Sequence, residues 1–368
     1  MCSKLLKFNI GRNMRARELI NFDGITGNYN SITDVDNVEV GHSTIISGDG
    51  NLIVGKGPVR TGVTVIFPRG KLESHIPVFA AYDVLNGNGE MTGTIWVEES
   101  GFLETPIAIT NTHSVGIVRD SLIKWITSNS KGKDPKFSLP LIAETYDGVL
   151  NDINGHHVNE NHVNEAIFNS TQFPILEGNV GGGTGMICHQ FKGGIGTSSR
   201  MITINENSYV VGTLVQANYG KREQLTINGI NVGKQLTDDL PEINDDYQPG
   251  DGSIIVIVAT NAPLLPTQLK RLAKRSSLGI SKTGGIGANG SGDIFLAFST
   301  ANKNAFNRYE ISNIHMISND MIDPLLSAVV ESTEESIMNA MFSAKTMKGI
   351  NNNIVHELPV EKLKKIIN

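Results

Sequence analysis

The stretch GDGSIIVIVATNAPLLP, residues 250–266, joins a flexible glycine and a serine to a run of apolar, mostly β-branched residues. That run predicts a strand over residues 253–260, because β-branched side chains pack well on a pleated sheet. On local pattern alone, Ser253 is a serine that opens a strand after a turn. The same arrangement also suits a nucleophile, because the strand would hold the serine rigidly in the sheet.

The bond between Gly252 and Ser253 has the chemistry for self-cleavage. The serine hydroxyl can attack the preceding carbonyl to form an ester, and water then hydrolyses the ester to leave a serine with a free α-amine. That amine, with a pKa of about 8, can accept the proton of the hydroxyl. Glycine suits the strained backbone that the attack requires, because it has no Cβ.

Strand and helix patterns alternate along the rest of the chain. Residues 1–30 are predicted to form a helical arm followed by a turn. Further strands are predicted over residues 62–68, 77–84, 94–97, 106–110, 140–143 and 208–215. Helices are predicted over residues 115–128, 266–278 and 323–348, from their apolar spacing and from the prolines and glycines at their ends. The interleaving predicts a single α/β domain over residues 1–368, with the acidic segment 235–251 as a solvated processing loop.

Composition excludes several classes of protein. Apolar residues make up 39% and charged residues 18% of the chain, which is typical of a globular protein, and the net charge of -6 argues against nucleic-acid binding. No apolar run approaches the roughly 20 residues that span a membrane, and the basic N-terminus lacks the apolar stretch of a secretory signal. With Cys2 and Cys188 as the cysteines, no disulfide framework is expected, and a cytoplasmic protein is predicted.

A series of motifs then points to one family. The motifs are NSITDVDNVEVGHSTI at 30–45, TGVTVIFPRG at 61–70, TGTIWVEESGFLETPIAITNTHSVG at 92–116, PLIAETYDG at 140–148, GGGTGMICHQFKGGIGTSSR at 181–200, GTLVQANYG at 212–220 and NGSGDIFLAFSTAN at 289–302. With them the chain resembles the DmpA-like family of self-processing L-aminopeptidase/D-esterase/amidases, which includes the β-peptidyl aminopeptidases.

That resemblance implies a fold and an activity. The fold would be a four-layer αββα sandwich that resembles the N-terminal-nucleophile hydrolases but differs in strand connectivity. Cleavage would separate residues 1–252 from residues 253–368, and the processed pairs would form homo-oligomers. The enzyme would release N-terminal residues from short peptides, amino-acid amides or esters through an acyl-Ser253 intermediate, with no cofactor, metal, nucleic-acid or membrane partner.

The resemblance also implies roles for individual residues. Asn218, in QANYG, matches an oxyanion-hole asparagine, and Tyr146, in AETYDG, matches a tyrosine beside the nucleophile and the oxyanion. Without the resemblance, Asn218 is a turn residue and Tyr146 a half-buried structural residue. Glu144 would share a strand face with Tyr146, where a carboxylate can hold the ammonium group of a substrate. Its alternative is a sheet-edge glutamate that pairs with a lysine.

Ser291 and Asp293, in NGSGDIF, match a second serine and an acidic residue near the nucleophile. Their spacing lets both point into one cleft, with Asp293 orienting Ser291 and Ser291 bonded to Ser253. Some relatives carry Glu at the position of Asp293, so the shorter side chain of Asp293 limits how far its carboxylate reaches. The alternative is a Ser/Asp turn that leads into a strand.

Other patterns give weaker or competing hypotheses. The segment GIGANG at 285–290 matches a dinucleotide-binding pattern but follows a helix rather than a strand. His156, His157 and His162 lack the spacing of a zinc site and are expected in a solvated loop. Two other functions stay open: an acyltransferase of the ornithine acetyltransferase type, whose nucleophile is typically threonine, and a non-catalytic relative that binds a small ligand.

Overall fold

The computed structural model describes residues 14–129, 137–244, 252–307 and 309–367. Its strands are β1 Glu39–Ser47, β2 Val59–Phe67, β3 Val78–Gly87, β4 Phe102–Leu103, β5 Ile107–Asn111, β6 Leu141–Thr145, β7 Ile187–Cys188, β8 Phe191–Lys192, β9 Gly194–Ile204, β10 Asn207–Asn218, β11 Thr226–Ile227, β12 Ile230–Asn231, β13 Ser253–Thr260, β14 Gly292–Ser299, β15 Met347–Lys348 and β16 Ile354–Val355. Its α-helices are α1 Thr94–Ser100, α2 Val115–Ser128, α3 Glu160–Phe168, α4 Pro266–Lys282, α5 Asp323–Ser343 and α6 Val360–Ile367.

Two sheets pack face to face and each carries helices on its outer face. The larger sheet has the strand order β4-β3-β14-β13-β10-β9, and the smaller has the order β1-β2-β5-β6. One apolar cluster fills the space between them, where Ile255 and Leu296 pack with Ile66 and Ile109. A second cluster joins the larger sheet to α4 and α5, and a third joins the smaller sheet to α2 and α3. The predicted four-layer αββα sandwich is therefore confirmed.

Strand β13 lies in the middle of the larger sheet. It pairs antiparallel with β10 and parallel with β14, and all eight of its residues are buried. Its side chains alternate between two apolar clusters, with Val256 facing the helices and Ile257 facing the smaller sheet. A strand that is covered on both faces needs apolar residues at every position, which explains the unbroken run that predicted it.

Three predicted elements differ in the structure. The strand predicted over 94–97 is wrong, because these residues belong to α1, which lies between Gly93 and Gly101 in left-handed conformations. The helix predicted to end at Lys348 ends at Ser343, and Lys348 lies in β15 instead. Helix α4 continues past Gly279 because this glycine packs against α5, where a Cβ would lie 2.6 Å from the Cβ of Thr333.

Two other sequence predictions are described only in part. Of the helical arm predicted over residues 1–30, residues 1–13 lie outside the described part, and the remainder forms only a 3₁₀ turn at Ala16–Glu18. Of the processing loop, residues 245–251 lie outside the described part, whereas residues 235–244 are mostly exposed. Within the described ranges, no helix combines the length and apolarity that crossing a membrane requires.

Candidate active site

Three strand ends of the larger sheet meet at the Gly252–Ser253 bond. Ser253 begins β13 and lies directly opposite Asn218, the last residue of β10. On its other side, Ser253 is in register with Gly292, the first residue of β14. The serine is 5% exposed, so a nucleophile here would react at the floor of a cleft rather than on an open surface. Backbone pairing alone thus sets the spacing of these three residues.

The amide of Gly292 faces both reacting groups of the predicted cleavage site. Its N–H lies 3.0 Å from the carbonyl oxygen of Gly252 and 3.3 Å from Oγ of Ser253. A donor at that carbonyl oxygen stabilises the negative charge that develops when the carbonyl carbon is attacked. Residue 252 must be glycine here, because a Cβ would lie 2.0 Å from the carbonyl oxygen of Asn218.

The side-chain amide of Asn218 is held by two backbone groups. Its Nδ2 donates to the carbonyl oxygen of Tyr146 at 3.0 Å, and its Oδ1 accepts from the amide of Ile187 at 2.8 Å. These partners define which end of the amide is nitrogen. Directly opposed residues on antiparallel strands have Cβ atoms about 4.5–5.5 Å apart, so Asn218 lies beside Ser253 on the same face. The second hydrogen on Nδ2 is the one available to a reacting oxygen.

Tyr146 meets Asn218 through its backbone. It follows the last residue of β6, and its carbonyl oxygen is the acceptor for Asn218 Nδ2. Its phenol side chain is exposed. The sequence predicted a phenol beside the oxyanion, and the structure adds a backbone acceptor that orients the neighbouring amide.

Glu144 is a buried carboxylate at the end of the smaller sheet. Its Oε1 accepts from the amide of Glu90 at 2.9 Å, and its Oε2 accepts from the hydroxyl of Thr112. Burial raises its pKa, against the effect of these two hydrogen bonds. Within the described residues, no lysine lies at ion-pair distance from it, which disfavours the sheet-edge alternative.

Gly89 connects this carboxylate to the nucleophile strand. A Cβ on Gly89 would lie 3.2 Å from Oε1 of Glu144 and also 3.2 Å from the Cα of Gly292. The backbone of Gly89 therefore lies between the carboxylate of Glu144 and Gly292, the residue whose amide faces Ser253. A cation that reached Glu144 would be close to the reacting serine.

Ser291 and Asp293 contact each other as the sequence predicted. The hydroxyl of Ser291 donates to Oδ1 of Asp293 at 2.6 Å, and both side chains are buried. Burial raises the pKa of Asp293. Alternation along β14 places Asp293 on the face of Phe295, towards the helices, whereas Ser253 shares the other face with Ile255. Among the described residues, Ser291 and Ser253 form no direct hydrogen bond. They are linked through the backbone of Gly292.

The histidines have structural partners. His157 pairs with Asp152 at 2.8 Å, and Nδ1 of His162 accepts the amide of Asn159 at the start of α3. His156 stacks on His113 with ring centroids 6.3 Å apart. Within the described ranges, no group of three or more His, Cys, Asp or Glu residues is arranged to hold a metal ion.

Sequence reasoning missed several groups around the site. The amides of Gly292 and Ile187 are backbone donors, which a residue type does not reveal. Lys192 is fully buried, and its position inside the motif GMICHQFKGG was the only signal for it. Buried Cys188 has a pKa raised to about 12 by burial, so its thiol is not a competing nucleophile.

Comparisons with known proteins identify the family of the chain. A family model described as peptidase family S58 matches residues 30–355. The beta-peptidyl aminopeptidase BapA of Sphingosinicella microcystinivorans is 48% identical over 365 residues, which covers 96% of this chain and 91% of that protein. BapA of Sphingosinicella xenopeptidilytica is 44% identical over 369 residues, which covers 96% and 90%.

A solved structure matches over nearly the whole chain. It is the L-aminopeptidase D-Ala-esterase/amidase of Ochrobactrum anthropi, with a TM-score of 0.90 and 43% identity over 96% of this chain and 98% of that chain. That protein is described as a prototype for the serine aminopeptidases and as a new variant among the Ntn hydrolase fold. The resemblance inferred from the motifs is therefore confirmed, as is the fold that it implied.

Proposed function

The chain belongs to peptidase family S58 and is an aminopeptidase, and from this premise we propose that it cuts its own Gly252–Ser253 bond and then uses Ser253 as an N-terminal nucleophile. One observation carries the proposal. The hydroxyl of Ser253 and the carbonyl of Gly252 face the same backbone donor, Gly292 N–H, beside Asn218 at the end of a rigid strand.

In the first stage, Ser253 Oγ attacks the carbonyl carbon of Gly252. The amide of Gly292 donates to the oxygen that gains negative charge. The proton lost by Oγ passes to the nitrogen of Ser253, and collapse of this adduct breaks the C–N bond and forms an ester, so that Ser253 gains a free α-amine. Water then hydrolyses the ester, which leaves a carboxylate on Gly252 and restores the serine hydroxyl.

In the second stage, the α-amine of Ser253 takes the proton from Oγ as Oγ attacks the carbonyl of a substrate. The oxyanion that forms accepts a hydrogen bond from Nδ2 of Asn218, whose orientation is already fixed by its two backbone partners. The phenol of Tyr146 is assigned as a second donor. The leaving amine or alcohol takes the proton, and water hydrolyses the acyl-Ser253 ester.

Glu144 is assigned to the recognition of the substrate. An aminopeptidase must recognise a free α-ammonium, and a buried carboxylate that pairs with no lysine or arginine of the described residues can supply the charge. The substrates proposed are short peptides, amino-acid amides and esters. Ser291, oriented by Asp293, supports the backbone that faces Ser253.

We also propose that processed pairs associate into homo-oligomers in the cytoplasm. Large apolar side chains such as Ile95, Leu72 and Phe168 are more than four-fifths exposed, and such groups are often covered by a second copy of a chain. The buried free thiol of Cys188 agrees with a reducing compartment.

Mass spectrometry of the purified protein tests the proposal directly. We expect two masses, for residues 1–252 and 253–368, and a serine at the new N-terminus. Native mass spectrometry then gives the number of pairs in the assembly. A panel of L-, D- and β-aminoacyl amides, each with its N-acetylated counterpart, tests whether activity needs a free amine.

The same experiments distinguish the alternatives. A chain that stays intact yet hydrolyses the panel at full rate would exclude the N-terminal-nucleophile mechanism. Acyl transfer to added amines in preference to water would indicate an acyltransferase. A processed protein that hydrolyses none of the amides or esters would favour a ligand-binding role.

A further inference from the structure

A fully buried lysine lies behind the proposed oxyanion hole. Lys192 ends the short strand β8, and its Nζ donates to the carbonyl oxygens of Met186 at 2.6 Å, Gly193 at 3.0 Å and Gly183 at 3.5 Å. Within the described residues it forms no ion pair. Burial lowers its pKa to about 7, against the attraction of Asp147. Against that effect, three carbonyl acceptors match the three N–H groups of an ammonium and favour the charged form.

One of its three acceptors leads directly to Asn218. The carbonyl of Met186 and the N–H of Ile187 belong to the same peptide group. That carbonyl accepts from Lys192 at 2.6 Å, while the N–H donates to Oδ1 of Asn218 at 2.8 Å. Hydrogen bonds in such a chain polarise one another, so a cation at one end strengthens the donor at the other.

The effect on Asn218 follows from the geometry of its amide. A stronger bond at Oδ1 draws electron density towards that oxygen and makes the Nδ2 hydrogens better donors. It also resists a flip of the amide, which would turn Oδ1 towards the reacting oxygen. Tyr146 supplies the matching acceptor on the other side, at 3.0 Å from Nδ2.

We propose that Lys192 is a positioning residue for the oxyanion hole, acting on Asn218 through the Met186–Ile187 peptide group. The inference rests on the proposed function, in which Asn218 donates to the oxyanion. The competing explanation is a purely structural one, in which Lys192 only ties together the glycine-rich turn that begins at Gly181.

A second lysine offers a matched control. Nζ of Lys71 also lies within hydrogen-bond distance of three backbone carbonyls, those of Ile167, Phe168 and Ser170, at 3.4, 3.4 and 3.0 Å. These carbonyls lie at the C-terminal end of α3 and just beyond it, on the outer face of the smaller sheet. Lys71 is partly exposed and also pairs with Glu39 at 3.8 Å, so Lys71→Met removes three lysine–carbonyl contacts and one ion pair without touching the path to Asn218.

The test compares Lys192→Met, Lys71→Met and Lys192→Arg by steady-state kinetics on an aminoacyl p-nitroanilide, with the melting temperature measured in parallel. We expect Lys192→Met to lower kcat about tenfold with KM within about twofold, and Lys192→Arg to recover part of that loss. Lys71→Met should lower the melting temperature and leave kcat unchanged. Equal kcat values for Lys192→Met and the wild type would overturn the proposal.

A double-mutant cycle separates this inference from the function on which it rests. If Lys192 acts through Asn218, Lys192→Met should lower kcat no further in an Asn218→Ala background, whereas additive losses would overturn the proposal. If Asn218→Ala alone leaves kcat unchanged, it is the oxyanion assignment that fails, and the role of Lys192 falls with it.

A backbone change keeps the proposal testable if the lysine variants do not fold or are not processed. Replacing Ile187 by its α-hydroxy acid turns the N–H that bonds Asn218 into an ester oxygen and leaves Lys192 in place. We expect a fall in kcat about as large as that for Lys192→Met, with KM again unchanged. Unchanged kcat in this ester variant would overturn the proposal.

Discussion

The two sheets contribute to the site in different ways. The larger sheet brings Asn218, Ser253 and Gly292 together as neighbours in register, so the hydrogen-bond ladder itself sets their spacing. The smaller sheet contributes Glu144 and Tyr146 from the end of its edge strand, where position depends on local side-chain and turn contacts. In the proposed mechanism, the larger sheet holds the reacting atoms and the smaller one a group for recognition. Changes in the first should lower kcat, and changes in the second should raise KM.

Removal of the nucleophile should have the largest effect. Ser253→Ala is expected to remain a single chain and to lose activity by at least about 10⁴-fold, because no other hydroxyl shares its position opposite Asn218. Gel analysis and kinetics on an aminoacyl amide measure both outcomes. Ser276→Ala, which alters another buried serine, on α4, is the control and should be processed normally. Normal processing of Ser253→Ala would refute the cleavage site.

Removal of the proposed oxyanion donor should have the second-largest effect. Asn218→Ala is expected to lower kcat by about 100- to 1000-fold with little change in KM, because the lost hydrogen bond forms in the transition state. Asn339 is a matched control, since its side chain is buried and bonds the amide of Ala16 and the carbonyl of Thr197 far from Ser253. Asn339→Ala should lower stability alone. Similar kcat values for the two variants would remove Asn218 from the mechanism.

A change in the smaller sheet tests the other side of the comparison. Glu144→Gln is expected to raise KM about 10- to 100-fold for substrates with a free ammonium, because a charge-assisted hydrogen bond is lost, while kcat stays within a few-fold. Substrates with a hydroxyl in place of the amine should show no such loss. Glu104→Gln is the control, because its carboxylate accepts a hydrogen bond from the indole of Trp96 and does not contact Glu144. A fall in kcat with unchanged KM would place Glu144 in the chemistry instead.

The pH dependence of KM gives the same residue a second test. Burial raises the pKa of Glu144 above its ordinary value of 4.5. The carboxylate therefore gains its proton, and loses its charge, as the pH falls through that raised value. KM for ammonium substrates should rise over this range in the wild type and stay flat in Glu144→Gln.

The smallest effect is expected at Ser291. Its hydroxyl bonds Asp293, and it reaches Ser253 only through the backbone of Gly292. Loss of one hydrogen bond at that distance should lower kcat roughly 3- to 10-fold in Ser291→Ala, measured on the processed enzyme. A loss as large as that of Asn218→Ala would mean that Ser291 contacts the nucleophile directly once the chain is cut.

Regular apolar patterns allowed much of the fold to be predicted. Strand β13 and helix α2 begin and end where the sequence indicated, because burial on two faces or on one stripe dictates the residue types. Helix α1 was predicted as a strand from Ile95 and Val97, whose β-branched side chains outweighed the terminal glycines in the prediction. Strand β9 was not predicted, because it buries polar residues such as Ser198, which bonds Ser332 and Ser336 on α5 rather than apolar neighbours.

The groups of the site also divide into those that the sequence revealed and those that only the fold revealed. Motifs identified side chains such as Ser253 and Asn218, since a side chain is visible in the sequence. The donors from Gly292 and Ile187 were not predictable, because every non-proline residue carries an N–H and only the register of the strands reveals which one faces the site.

The order of strands in the larger sheet has a consequence for the proposed self-cleavage. Strands β13 and β14 belong to residues 253–368 and lie between β3 and β10, which belong to residues 1–252. If the chain is cut as proposed, the smaller piece is held by hydrogen-bond ladders on both sides and cannot leave without disrupting the sheet. The larger sheet must therefore form before the Gly252–Ser253 bond is cut. After full denaturation, recovery of the cut form becomes a bimolecular reaction whose rate depends on concentration, whereas the uncut chain refolds at a rate independent of it.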